Sequence, residues 1–257
     1  MLGIVNVTPD SFSDGGVHLD PDVAAAAARR MLDEGAAMVD VGGESTRPGS
    51  DGLSADEELR RVVPVLEQLQ GLPVSIDTAK SEVARRALAL GAELVNDVTA
   101  LRGDPELAGV VADAGAYLCL MHMQGEPRTM QLDPRYDDVA GEVAAFLEAR
   151  LAFAVSAGVD EELVCLDPGI GFGKTPAQNF ELVRRLDVLT ALGRPVLIGL
   201  SRKSSLGKLF DPKAQTGTLA ASLGAAVAAF ERGASIFRVH DVREHVEALA
   251  AAGAVRG

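Results

Sequence analysis

Eight short apolar runs, each ending in a polar or charged residue and each followed by a helix-like stretch, set the strongest constraint on how this chain folds. Leu2–Val5 ends at Asn6, Met38–Val41 leads into Gly42–Arg47, Val74–Ile76 ends at Asp77, and Glu93–Val95 ends at Asn96 and Asp97. Leu118–Met121 ends at His122, Leu163–Leu166 ends at Asp167, Val196–Gly199 leads to Ser201–Lys203, and Ile236–Phe237 ends at Arg238 and His240. Strands alternating with helices imply parallel pairing through right-handed crossovers. Eight such units in 257 residues fit one α/β domain spanning 1–257, a single (β/α)8 TIM barrel. An open, doubly wound sheet is the alternative, and eight units with no obvious edge strand favour closure. In the closed form all strand C-termini share one face, where active sites sit.

The punctuation agrees. Gly35, Gly91, Gly115, Gly158 and Gly233 each follow a helix-like stretch, where a left-handed residue closes the last turn. Ser54-Ala-Asp-Glu57 fits a capping box, and Asp241–Glu244 is similar. Asp20-Pro21, Asp104-Pro105 and Thr175-Pro176 place proline at a first helical position after a capping side chain. These signals predict helices near 21–34, 55–69, 79–90, 105–114, 138–157, 176–192, 218–232 and 242–252. The connections 7–20, 42–53, 122–137 and 200–217 are long, and all fall on the functional face of the expected barrel.

A net charge of -13 argues against a nucleic-acid partner, because phosphate backbones call for a basic face. Cys119 and Cys165 lie inside apolar strand runs and read as buried small hydrophobes. No apolar run is long enough to suggest a membrane span, and no leader is visible, so a soluble cytoplasmic protein is expected.

Seven motifs follow strands in order: Asn6–Gly16, Asp40–Gly49, Ser75–Thr78, Asn96–Val98, Asp167–Lys174, Ser201–Ser204 and Arg238–Val242. Together they resemble the dihydropteroate synthase family, from residue 3 to about 242. The family reaction joins p-aminobenzoate to 6-hydroxymethyl-7,8-dihydropterin diphosphate, giving 7,8-dihydropteroate and diphosphate. Family members carry a small hairpin ahead of the first strand. This chain begins almost at the strand, so the barrel is expected to lack that hairpin.

The resemblance implies a site. A pterin edge offers N–H donors beside a carbonyl, which buried carboxylates and an amide can recognise in plane. Asp77, Asn96 and Asp167 take that role, with Lys203 reaching from the pterin toward the aminobenzoate pocket and Met121 packing on the ring. Arg238 and His240 lie on one side of the last strand and match the family's anion-binding pair. Asn6 matches the ligand of a Mg2+ that also touches the diphosphate. The first two loops suit a lid: Gly15, Gly16, Gly42, Gly43 and Gly49 allow hinging, and Phe12 and Pro48 offer apolar walls, joined by Phe172. Asp10, Asp14, Thr46 and Arg47 tie the closed loops to each other and to the ligands. Ser204 and nearby backbone N–H groups meet the aminobenzoate carboxylate, with Arg202 on the same wall. Asp97 and Lys174 are candidates for a structural ion pair, and His122, Arg128 and Met130 receive no chemical step.

Two other readings compete. Pterin-binding methyltransferases share the barrel and the pterin-recognising Asp and Asn, but need no diphosphate site. The Ser201–Ser204 and Arg238–His240 motifs and the Phe12–Gly16 loop argue against them. A non-catalytic paralogue would bind a pterin and turn nothing over. The small-residue helix 218–232 packs on the barrel or forms part of a homodimer interface, which the resemblance implies.

Overall fold

The computed structural model describes residues 1–8, 20–46, 50 and 52–256. Eight parallel strands are present: β1 Leu2–Asn6, β2 Met38–Gly42, β3 Val74–Asp77, β4 Leu94–Asp97, β5 Tyr117–Met121, β6 Val164–Asp167, β7 Leu197–Ile198 and β8 Ile236–Val239. They run β6-β5-β4-β3-β2-β1-β8-β7 around the sheet. A bridge from Leu166 to Val196 joins β6 to β7 and closes the barrel.

The helices are α1 Pro21–Asp33, α2 Ala55–Gln68, α3 Ser81–Ala89, α4 Leu107–Ala114, α5 Val139–Ser156, α6 Pro176–Arg184, α7 Asp187–Thr190, α8 Ser204–Gly207, α9 Leu219–Phe230 and α10 Val242–Arg256. The caps explain most of the starts. Asp20, Ser54 and Thr218 each accept a backbone N–H of their helix's first turn, and Thr175 with Gln178 forms a reciprocal capping box. Gly35, Gly91, Gly115, Gly158 and Gly233 all take positive φ where the sequence calls for it.

Three expectations change. The helix expected over 176–192 breaks at Arg185, and the turn carries Leu186 and Leu189 into the core, both fully buried. Asp104 does not cap α4, which starts at Leu107. Its two oxygens accept from Glu106 N at 2.9 Å and Ser81 N at 2.8 Å, so it ties this turn to the start of α3. The connection 200–217 contains an extra turn of helix, α8. Among the described residues no helix is long and apolar enough to cross a membrane.

Strand alternation divides the core in two. Outward residues such as Val5, Val39, Val41, Ile76, Val95, Leu118, Leu120 and Leu166 pack against the helix ring through Ala24, Ala28, Val62, Leu66, Val83 and Leu147. Inside the barrel Leu2, Leu94, Cys119, Cys165 and Leu197, with Met38 and Ile236, form a separate apolar plug. Both cysteines are free and buried in it. The plug is a floor, and the polar residues stand above it.

Candidate active site

The same alternation decides which strand-end residues face the mouth. Across β2, β3 and β4 the register aligns Gly42 with Asp77 and Asp77 with Asn96, and β1 aligns Asn6 with Gly42. One step lower lie Ile4, Asp40, Ser75 and Leu94. Gly42 has no side chain, and an added Cβ would lie 3.3 Å from the Asp77 Cβ. Asn96 points inward while Asp97, its neighbour, points out toward the helices.

Arg238 is the hub. Its Nε donates to Asp40 Oδ2 at 2.6 Å and its Nη2 to Asp77 Oδ2 at 2.7 Å. Asn96 Nδ2 donates to the same Asp40 oxygen at 3.1 Å. Burial alone would lower the Arg238 guanidinium, but Asp40 and Asp77 outweigh it and hold the group above its ordinary range. Burial pushes the Asp77 carboxyl up to about 7; Arg238 opposes that rise, and Asp40, Glu58 and Asp97 add to it. Asp167 is raised by burial in the same direction, with its own Gly169 N–H, Lys203, Lys174 and Arg238 opposing.

Beside Arg238, His240 places Nδ1 3.1 Å from Ser201 Oγ. Burial, with Arg202 and Arg238 nearby, lowers His240 to about 3, so it meets a ligand as a neutral ring with one N–H to give. The Arg238–His240 pair expected to bind anions is therefore one guanidinium already held by two carboxylates and one neutral imidazole.

Across the mouth, the turn after β6 is built from glycines. Gly169, Gly171 and Gly173 take φ of 67°, 84° and 63°. A Cβ on Gly169 would lie 1.9 Å from His122 O, and one on Gly173 2.3 Å from Gln124 O, so no other residue fits. Asp167 Oδ1 accepts from Gly169 N at 2.7 Å. Lys174 closes the turn from inside: Nζ, 2% exposed with its residue, donates to Phe172 O at 2.9 Å and Gly169 O at 3.0 Å and lies 2.9 Å from His122 Nδ1. Burial lowers Lys174 to about 7 and His122 to about 3. Lys174 makes no ion pair with Asp97. Asp97 instead accepts from Thr99 N at 2.7 Å and Leu101 N at 2.6 Å, and so shapes the turn after β4.

This turn carries Phe172 to the mouth, where Lys203 Nζ lies 4.3 Å from its ring centroid. Met121, Met123, Met130 and Val98 cluster with Phe172 into an apolar wall. Lys203 immediately precedes α8, and Ser204 is the first residue of that helix. Arg202, at φ 57°, donates to both oxygens of Asp241, at 3.0 and 2.5 Å. Thr46 is half-buried where the second loop begins. Phe12, Asp14, Arg47 and Pro48, with Asp10, Gly15, Gly16 and Gly49, lie outside the described residues.

The Mg2+ ligand expected at Asn6 is a half-buried amide at the mouth end of β1. Its oxygen is a hard donor of the kind Mg2+ accepts, and it stands in the row that holds Asp77 and Asn96. Among the described residues no cluster of three or more His, Cys, Asp or Glu could hold a metal ion. One protein oxygen fits a Mg2+ that takes its other ligands from phosphate and water.

Sequence reasoning passed over three groups. Asp40 sits between two valines inside a strand, and its polarity at an inward position was the available signal. Met123 and Met130 complete the wall around Met121. Glu58 is fully buried on α2, where it falls in the stripe with Val62, Val65 and Leu66. Lys80 bridges it at 2.6 Å to Glu44, whose other oxygen takes Leu53 N at 3.2 Å. Burial raises Glu58 despite Lys80. This chain of contacts ties the two ends of the second loop to α2. Gly43 does not serve as a loose hinge here: a Cβ would lie 2.8 Å from Val62 Cγ1, so it packs β2 onto the helix.

A closed barrel with inward carboxylates and an amide over an apolar plug, one fork-held arginine and a methionine-rich wall fits a pterin-binding enzyme, and the family model for pterin binding enzymes matches residues 2–240. The chain is 48% identical over 258 residues to the dihydropteroate synthase of Neisseria meningitidis serogroup C, covering 98% of this chain and 90% of that one. A Yersinia pestis dihydropteroate synthase structure with a sulfonamide drug complex superposes at a TM-score of 0.92, with 44% identity, covering 99% of this chain and 93% of that one. A Xanthomonas albilineans dihydropteroate synthase with 4-aminobenzoic acid gives 0.90 at 47% identity, covering 100% and 92%. The chain belongs to the dihydropteroate synthase family.

Proposed function

We propose that this chain condenses 6-hydroxymethyl-7,8-dihydropterin diphosphate with p-aminobenzoate to give 7,8-dihydropteroate and diphosphate. The observation that carries the reading is the inward row of Asp77 and Asn96 facing Asp167, with Arg238 between Asp40 and Asp77 beside it. Asp77, Asn96 and Asp167 supply in-plane acceptors and a donor for the pterin edge, and Met121 and Phe172 supply its apolar faces. Arg238 keeps further N–H groups of its fork for the leaving diphosphate, and His240 adds a neutral donor. Bound at Asn6, Mg2+ would supply charge stabilisation to the diphosphate oxygens. An aryl amine is neutral at pH 7, so the site needs to position it and keep water out rather than deprotonate it. Lys203, Ser204, Arg202, Thr46, Arg47, Phe12, Pro48 and Asp14 meet the aminobenzoate and close over it. A homodimer, a cytoplasmic location and a single domain over 1–257 are part of the same proposal.

The test is diphosphate release by the purified protein with Mg2+ and the pterin diphosphate, with and without p-aminobenzoate. Release that depends on the amine and yields dihydropteroate supports the reading. Pterin binding with no release in either condition overturns it in favour of a binding protein, and methyl transfer without diphosphate chemistry overturns it in favour of a methyltransferase.

A further inference from the structure

We infer that Asp40 is a positioning residue for this reaction, a single carboxylate oxygen that sets Arg238 and Asn96 relative to each other. The inference rests on the proposed function, since it assigns Arg238 to the diphosphate and Asn96 to the pterin.

Asp40 lies in the middle of β2, one step below the mouth, and is 0% exposed. Its Oδ2 accepts the Arg238 Nε at 2.6 Å and the Asn96 Nδ2 at 3.1 Å. No other described residue bonds both. Arg238 is gripped along one edge, Nε on Asp40 and Nη2 on Asp77, so its guanidinium has one orientation and presents its remaining N–H groups in one direction. Asn96 is fixed the same way. An amide that donates one Nδ2 hydrogen to Asp40 has its plane set by that bond, and its Oδ1 and second Nδ2 hydrogen are left for a ligand.

The barrel does not need a charge at this position. Its partners in the layer include Ile4 on β1, and Leu94 lies one strand beyond Ser75. Asp40 Oδ1 has no hydrogen-bond partner, and neither does the buried Ser75 Oγ aligned with it. A buried carboxylate with one oxygen unsatisfied is an unfavourable way to fill a barrel interior. What the arrangement provides is geometry: two ligand-facing side chains from β4 and β8 referred to a common point on β2. Asp77 cannot replace it, because it is itself a ligand-facing residue and holds only Arg238.

The experiment is a double-mutant cycle of Asp40→Asn with Arg238→Ala, each variant normalised to its folded fraction by circular dichroism. Asp40→Asn keeps the shape and removes the charge. It should lower kcat/KM for the pterin diphosphate by at least about tenfold, leave KM for p-aminobenzoate unchanged, and add less than about threefold to the loss caused by Arg238→Ala alone. A contribution to folding alone would vanish on that normalisation and leave kcat and both KM values in place. Losses that multiply in the double variant, or an Asp40→Asn protein with wild-type kcat/KM, would overturn the inference. Asp40→Leu provides the second arm: a folded, inactive barrel supports positioning, and a folded, active one refutes it. Wild-type turnover in the same assay tests the proposed function separately, so failure of that reading is seen before any variant is compared.

Discussion

Replacing Arg238 by alanine removes the only cation bonded to Asp40 and Asp77 among the described residues, and the structure fixes how the loss should appear. The side chains of Asp40 and Asp77 are 0% and 11% exposed, so water cannot replace the guanidinium. Taking one partner from a buried ion pair costs about 3–5 kcal/mol, because the opposite charge is left behind. For a chain of this size a loss of 1 kcal/mol lowers Tm by roughly 2–4 °C, so the expected fall at pH 7 is roughly 6–20 °C. The pH dependence carries the sharper test. Burial already holds the folded pKa of Asp77 above its unfolded value, and without Arg238 it rises further, so the folded state binds more protons. Stability then falls as pH rises above the unfolded value near 4, with a slope up to about 1.4 kcal/mol per pH unit for this group. Burial has already raised Asp77 to about 7 in the wild type, and removing its cation carries the window higher. The Tm deficit of Arg238→Ala should therefore shrink on acidification from about pH 9 to pH 7 and level off below that.

Differential scanning calorimetry over that range, on the wild type, Arg238→Ala and Arg238→Ala/Asp40→Asn, measures this directly. The added Asp40→Asn removes one stranded charge and should recover part of the deficit. A single variant that melts within about 2 °C of wild type at pH 7, or a deficit that grows on acidification from about pH 9 to pH 7, refutes the two-carboxylate clamp. The clamp also bears on the functional test. Arg238→Ala should weaken binding of a diphosphate-bearing pterin far more than of one lacking diphosphate, but the stranded carboxylates would repel the anion by themselves. The comparison is cleanest in the Asp40→Asn background, and equal losses for both ligands there would remove Arg238 from the diphosphate.

Asp167→Asn retains an oxygen for the Gly169 N–H but loses the charge, so pterin affinity should fall about 10- to 100-fold with Tm little changed. Titration calorimetry with a pterin that shows wild-type affinity would refute its recognition role. Lys174→Met strands the Phe172 and Gly169 carbonyls and His122 Nδ1, and should cost about 2–4 kcal/mol at pH 7. Burial holds Lys174 at about 7 against an unfolded 10.5, so the unfolded state binds more protons between those values. Wild-type stability should thus gain on the variant as pH rises from 7 to 9, and a constant gap would show that the amine is not buried as described. Gly169→Ala sets a Cβ against His122 O at φ 67°; it should cost more than about 3 kcal/mol, and a normal melting curve would rule out the glycine turn.

The fold was legible because each level of the sequence pointed to the same answer. Apolar runs, glycine caps and proline starts all fell at the spacing of β/α units. The misses were places where local chemistry had two uses. Asp104 precedes a proline as a cap does, yet its carboxylate tied its own turn to the start of α3 instead. The break at Arg185 carries no glycine or proline; burial of Leu186 and Leu189 imposes it. Within the site, Asn96 and Asp97 look alike in sequence, and only the period-two alternation separates them, one into the mouth and one under a loop. The same rule applied to Met38–Gly42 puts Asp40 inside the barrel, although it stands two residues short of the strand end. Lys174 was beyond this reasoning: its acceptors come from two loops, and their convergence is a property of the folded chain alone.

The arrangement also shows how a chain of net charge -13 could hold the anion that the proposed function requires. The cations at the mouth are not a bare positive patch. Arg238 is balanced by Asp40 and Asp77, and Arg202 is matched to Asp241. Lys174 is half-neutral near pH 7 and faces backbone oxygens. For Arg238 and Arg202, recognition then rests on the direction of N–H groups whose orientation the carboxylates have already fixed. Such contacts are buried and short, so salt screens them weakly, and they do not have to be reorganised as charge builds on a leaving oxygen. On the proposed function, the acidic residues at the mouth do not compete with anion binding; they aim the groups assigned to it.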